Sequence, residues 1–173
     1  RHPQYYLKDG VVLQVEKTLF KVPRYMFENS SRLLADMLSE VPTNNDDLPV
    51  ELQDVTPVEF EHLVKFLYPL KPIASPTDPT SSEHLDISQW LSILRLSTLF
   101  EMPSLLEVSK HFLSSSITDP IQKIILGRTY DHQPWVKEGF TALCLRENPL
   151  SHDEGKMLSK EDVISLAAAR EEV

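Results

Sequence analysis

Near its start this chain alternates apolar side chains at period two, and further on it repeats them at helical spacing. Val11, Leu13 and Val15 follow the Asp9-Gly10 turn signal in the manner of a half-buried strand. Leu19-Phe20-Lys21-Val22 reads as the returning strand of a hairpin, and Pro23 closes the ladder because it has no backbone donor to give. Val50 and Leu52 flank Glu51 as a short third strand that pairs with the hairpin. So little strand among so many helical repeats predicts an α+β chain, a small three-stranded sheet packed on a cluster of helices.

The helices carry their own punctuation. A turn of helix is expected over 24 to 27. Ser31 caps a helix with Leu33, Leu34, Met37 and Leu38 on one side, ended by Val41-Pro42. Thr56-Pro57-Val58-Glu59 combines a capping hydroxyl, a first-turn proline and a capping-box glutamate ahead of Phe60, Leu63, Val64 and Leu67. Tyr68-Pro69 ends that helix, and residues 69–86, with four prolines and no periodic apolar face, read as a dispensable surface insertion. Trp90 to Phe100 is apolar on nearly every side, as a core helix is. Met102-Pro103 breaks it, and Leu105, Val108 and Phe112 mark the next amphipathic helix. Asp119-Pro120 opens another, carrying Ile121, Ile124 and Ile125; Val136, Phe140 and Leu143 mark one more, and Ser159 caps a last helix with Val163, Leu166 and Ala167 inward. Two regions are expected: 1–116, and an all-helical extension over 117–173.

With 26 acidic against 17 basic side chains, the net charge of −9 repels a phosphate backbone and an anionic membrane surface. The only cysteine, Cys144, permits no internal disulfide and points to a reducing compartment, cytoplasm or nucleus. No apolar run approaches the ~20 residues that span a bilayer. Four glycines leave no phosphate-cradling loop ahead of any helix, which argues against nucleotide enzymes.

The order of elements, and the residues that carry it, resemble the BTB/POZ family. Val11-Val12-Leu13-Gln14-Val15, Phe20-Lys21-Val22-Pro23-Arg24 and Ser31 to Met37 are similar to its opening. Phe60, Leu63, Phe66, Leu67 and Tyr68 match its helix ending in a Leu-Tyr pair, and Leu94 to Leu105 resembles its Leu-rich helix pair joined by Met-Pro. Residues 117–173, with Tyr130-Asp131, Trp135, Leu150-Ser151 and the Ala-Arg-Glu-Glu ending, resemble the BACK-like helical extension of many fungal BTB proteins. The resemblance implies a BTB/POZ fold, an intracellular protein-interaction or adaptor module without catalysis or cofactor, and other proteins as partners. Two places depart from the family pattern: Gly10 and Pro23 stand where it often carries an Asp and a His, so the buried polar contact between them is absent on both sides. Homodimers are common in the family, but nine residues precede Gly10, too few for the helix those dimers exchange, so a monomer is expected, with the hairpin edge near Tyr5 to Leu7 as its residual contact.

The candidate interaction residues are Leu38, Glu40, Val41, Tyr68 and Tyr6. Leu38-Ser39-Glu40 also resembles the hydrophobic-x-Glu element with which some BTB adaptors grip a cullin scaffold of ubiquitin ligases, so substrate adaptor on a cullin ligase is the alternative reading. A cysteine-dependent hydrolase built on Cys144, His152 and Asp153 competes from another class, but no oxyanion donor accompanies them and a core thiol is the simpler reading. No histidine falls at metal-pair spacing. Asp153-Glu154 and Asp46-Asp47 read as turn-solvating carboxylates, and Trp90 and Trp135 as core anchors.

Overall fold

The computed structural model describes residues 1–6, 10–42, 45–68 and 85–171. Residues 69–84 of the predicted insertion lie outside the described residues, and its last two belong to the fold: Leu85 is buried in the core and Asp86 caps the helix that follows. The sheet consists of β1 (Val11–Val15), β2 (Thr18–Val22) and β3 (Val50–Leu52), ordered β2-β1-β3. Glu16, left-handed at φ 52°, turns β1 back into β2, with Leu13 opposite Phe20. The third strand does pair with the hairpin, but parallel to β1, Leu13 beside Val50 and Val15 beside Leu52. A parallel neighbour needs a crossover, which α1 (Tyr25–Ser30) and α2 (Arg32–Leu38) supply.

That topology corrects the half-buried reading of β1. It is the central strand, and Val12 is as buried as Val11, Leu13 and Val15. The outer side of β2 is occupied as well. His2 N–H donates to Leu19 O at 2.8 Å, Lys21 N–H donates to Tyr5 O at 2.8 Å, and Tyr6 pairs with Lys21. Tyr5 is buried, so the edge predicted to be open at Tyr5 is already hydrogen-bonded. Gly10 lets the segment in: a Cβ there would stand 2.5 Å from Val22 O, so no aspartate enters that place without displacing β2.

Ser31 caps α2 as expected, its hydroxyl accepting from Leu34 N–H at 3.0 Å. Only Leu34 and Leu38 of that helix are buried, however, while Leu33 is exposed and Met37, 38% exposed, reaches the core with part of its side chain, lining a small apolar pocket beside Leu13, Phe27 and Phe60. A helix this short meets the sheet along one i,i+4 row, and the neighbouring row is left mostly outside. α3 (Pro57–Leu67) has its full capping box, and Phe60, Leu63, Val64 and Leu67 are all buried. In α4 (Ile87–Leu99) Trp90 is fully buried, 4.8 Å from the ring of Phe112 and 5.4 Å from Phe66. In α5 (Pro103–Ser116) the buried row is Leu105, Ser109 and Leu113, whereas Val108 is exposed and Phe112 half-buried. The expected row lacked a serine because a hydroxyl reads as polar. Ser109 donates to Leu105 O at 2.8 Å, which satisfies it inside the core.

The chain divides into two compact units, Arg1–Leu113 and Ser114–Val173. The second contains α6 (Pro120–Thr129), α7 (Gln133–Leu145), α8 (His152–Met157) and α9 (Lys160–Glu171) around Ile121, Ile124, Leu143 and Leu166. Trp135 is buried, its indole N–H donating to Ser114 Oγ at 2.7 Å. α6 and α7 approach closely at Gly139, where a Cβ would stand 2.6 Å from Pro120 O. In α9 the inward side chains are Leu166 and Asp162, with Val163 half-buried and Ala167 exposed. Asp162 is buried because Arg128 pairs with it at 2.8 Å. Asp153 and Glu154 lie not on a loop but in the first turn of α8, under a Ser151–Glu154 capping box.

Candidate functional site

The end of α2 is held by a guanidinium. Arg24, just ahead of α1, donates to the carbonyls of Leu38 and, at 3.3 Å, Val41, and its Nε lies 2.7 Å from Glu28 Oε1. Val41 N–H donates to Leu38 O at 3.1 Å, and Ser39 Oγ to Asp36 O at 2.9 Å. Residues 38–41 are thereby fixed as a tight turn. Orphan carbonyls at a helix end need such donors, and a cation is favourable there because the helix dipole leaves that end negative.

The fixed turn sorts the candidate residues. Leu38 is 1% exposed and lies in the core, so it offers a partner no area. Glu40 is exposed and Val41 half-buried. Leu33, Met37 and Val41 follow one another at four-residue spacing, and the first two are 37% and 38% exposed. Sequence reasoning placed Leu33 and Met37 in the core, because apolar residues at helical spacing look alike whichever row faces in. Neither the caps nor the spacing could separate the two rows.

Tyr68 is half-buried, and its hydroxyl donates to Pro23 O. Burial pushes its phenol well above the ordinary range. The exposed Tyr25 ring stands edge-on to it, 6.1 Å away. Tyr6 belongs to a different cluster. Its hydroxyl donates to Asp46, which also receives Lys21 Nζ at 3.2 Å and Arg1 at 3.1 Å, and the Arg1 guanidinium lies 4.9 Å from the Tyr6 ring centre. The hydrogen bond to Asp46 raises the Tyr6 phenol and holds the Asp46 carboxyl below its usual range.

Cys144 is half-buried, not sealed in the core, and lines an open trough along α7. His152 and Asp153 are exposed on α8, and no hydrogen bond joins them to Cys144 among the described residues. Among the described residues no group of three His, Cys, Asp or Glu side chains is placed to hold a metal ion, and no helix is long and apolar enough to cross a membrane.

Residues 7–117 match the BTB/POZ domain family. The chain belongs to the BTB/POZ family. The match takes in the sheet and α1 to α5, so the mixed sheet crossed over by a short helix pair is the BTB/POZ fold. A BTB/POZ domain is a protein–protein interaction module, generally without catalysis of its own. No curated protein matches this sequence.

Proposed function

We propose that this BTB/POZ protein is a non-catalytic, intracellular adaptor that binds a protein partner across α2 and the turn after it, with residues 117–173 serving as a BACK-like helical extension. The observation that carries the reading is the row Leu33, Met37 and Val41, its first two members exposed and Val41 half-buried, ending beside the exposed Glu40 on a turn that Arg24 ties down. Exposed apolar side chains on a rigid frame are the usual anchors of an interface, and a fixed turn loses little entropy on binding. Of the segment that resembles the cullin-gripping element, Leu38, its hydrophobic member, is in the core while Ser39 and Glu40 are exposed, so the general adaptor reading is preferred to the cullin-ligase one.

The test compares proteins retained from a cell extract by wild type and by Met37→Asp/Val41→Asp, identified by mass spectrometry. A partner retained by the wild type and lost by the double variant, with the melting temperature unchanged, is the expected result. The same partners on both would place binding elsewhere.

A further inference from the structure

The trough along α7 is made from two side-chain rows. Val136, Phe140 and Cys144 form its inner row at four-residue spacing, and Lys137, Thr141 and Leu145 its outer row at the same spacing, with Ala169 of α9 and Arg128 of α6 also lining it. Its volume is about 810 Å³. α7 has 13 residues, and at a rise of ~1.5 Å per residue it is about 20 Å long, the length of three to four helical turns. An open channel of that length suits a rod better than a compact small molecule, which normally sits in a closed cleft. Leu145, 70% exposed at one end, is the largest unmet apolar side chain along it.

The opposite end is cationic. Lys137 is exposed and has no carboxylate within ion-pair reach among the described residues, and no carboxylate lines the trough. Arg128 is 54% exposed although it pairs with the buried Asp162. The first turn of α7 carries no acidic side chain, so the positive end of its dipole adds to both. Asp162 offsets Arg128, Asp131 stands just ahead of α7 and Glu138 pairs with Lys123, so on a chain of net charge −9 Lys137 is the unpaired cation that faces an incoming carboxylate at this end of the trough, among the described residues.

We propose that the trough docks an amphipathic helix of a partner protein, whose apolar row lies along α7 and whose carboxylates meet Lys137 and Arg128. An apolar groove read by residues at i, i+3, i+4 and i+7 is a recurring mode of helix recognition, and charge at one end fixes the direction of the incoming helix. The site goes beyond the adaptor reading above and shares no residue with it, so Met37→Asp/Val41→Asp leaves it intact.

The full chain is titrated with two fluorescein-labelled helical peptides that share one leucine row, one with glutamates flanking the row and the other with lysines. Cys144 is the only cysteine, so its rate of alkylation reports whether the trough is covered. The glutamate peptide is expected to bind, to slow alkylation of Cys144, and to lose at least tenfold in affinity with Lys137→Glu, which in turn admits the lysine peptide. Equal affinities for the two peptides, or alkylation unchanged at saturating glutamate peptide, would overturn the proposal. So would Cys144 protection that rises with protein concentration alone, tracked by sedimentation velocity, because the occupant would then be a second copy of the chain. Leu145→Asp, at an exposed position where folding is not at stake, is expected to weaken the glutamate peptide as well, and an unchanged affinity would count against the trough.

Discussion

Trp90 shows how much one side chain can carry. It is fully buried between Phe66 and Phe112, and its indole N–H meets no acceptor among the described residues. Trp90→Ala is expected to cost ~3 kcal/mol or more, the usual result of emptying a core aromatic site. Trp90→Phe should cost clearly less, because it keeps a ring in place and removes a buried donor that lacks a partner. Urea titration of both variants checks this, and equal losses would show that ring volume is not what matters there. Glu154 offers a pH prediction. Arg146 grips its carboxylate with two 2.7 Å bonds, and with the Ser151 N–H this lowers the carboxyl from 4.5 to about 2. A folded-state value below the unfolded one gives stability that is fully present above pH 4.5 and is lost as the pH falls from there through about 2. A carbon-13 NMR titration should therefore find Glu154 still ionised at pH 3. In Arg146→Met its midpoint should return toward the ordinary carboxylate range; a midpoint unmoved by the substitution would assign the shift to the helix end alone.

Among the elements, α3 was the most legible. Thr56 accepts from Glu59 N–H at 3.3 Å, and Glu59 Oε2 accepts from Thr56 N–H at 3.1 Å. The residues that do this are adjacent in sequence, so the cap can be read without the fold. Thr56→Ala is expected to lower stability by ~1 kcal/mol, as loss of a capping hydroxyl commonly does. A loss near zero in thermal unfolding would mean that Glu59, which also pairs with Arg95 at 3.1 Å, holds the helix start by itself. α8 was missed although Ser151-His152-Asp153-Glu154 has the same capping-box pattern, because no apolar row follows it. α2 and α5 were found, with Leu34, Leu38 and Leu105 among the inward residues, but Leu33, Met37 and Val108 were put on the same inward side. A helix states its period in its sequence, whereas the direction it faces depends on neighbours that arrive from elsewhere in the chain.

At the scale of the whole molecule the two units differ in what holds them. Arg1–Leu113 encloses Phe20, Phe27, Phe60, Trp90 and the valines of β1. Ser114–Val173 closes over four fully buried aliphatic side chains, Ile121, Ile124, Leu143 and Leu166, with Trp135 nearby. A smaller domain buries a smaller share of its surface and is correspondingly less stable. Native-state hydrogen exchange should therefore show the amides of α6 and α7 opening at lower free energy than those of β1, α3 and α4. Identical protection in both units would show that the chain unfolds as one. Replacing residues 69–84 with a short Gly-Ser linker, which keeps the buried Leu85 and the Asp86 cap of α4, is expected to leave the melting temperature nearly unchanged, since loop length enters stability only logarithmically; a large drop on differential scanning calorimetry would show that the segment packs.

Apart from α8, the sequence by itself determined where the strands and helices of the described residues lie, because Thr56-Pro57, Asp119-Pro120 and the alternation of Val11, Leu13 and Val15 act over a few residues. It also carried the family resemblance, whose motifs at Phe60 to Tyr68 and at Met102-Pro103 are local too. Only the tertiary structure decided that β3 lies parallel to β1, that Leu38 faces the core while Leu33 faces out, and that Cys144 lines a trough. Each of these turns on contacts between residues far apart in the chain: Arg24 with Val41, β1 with β3, Arg128 with Asp162. Apolar spacing is the same for the buried row and the exposed one, so the choice between them is made by what packs against the helix.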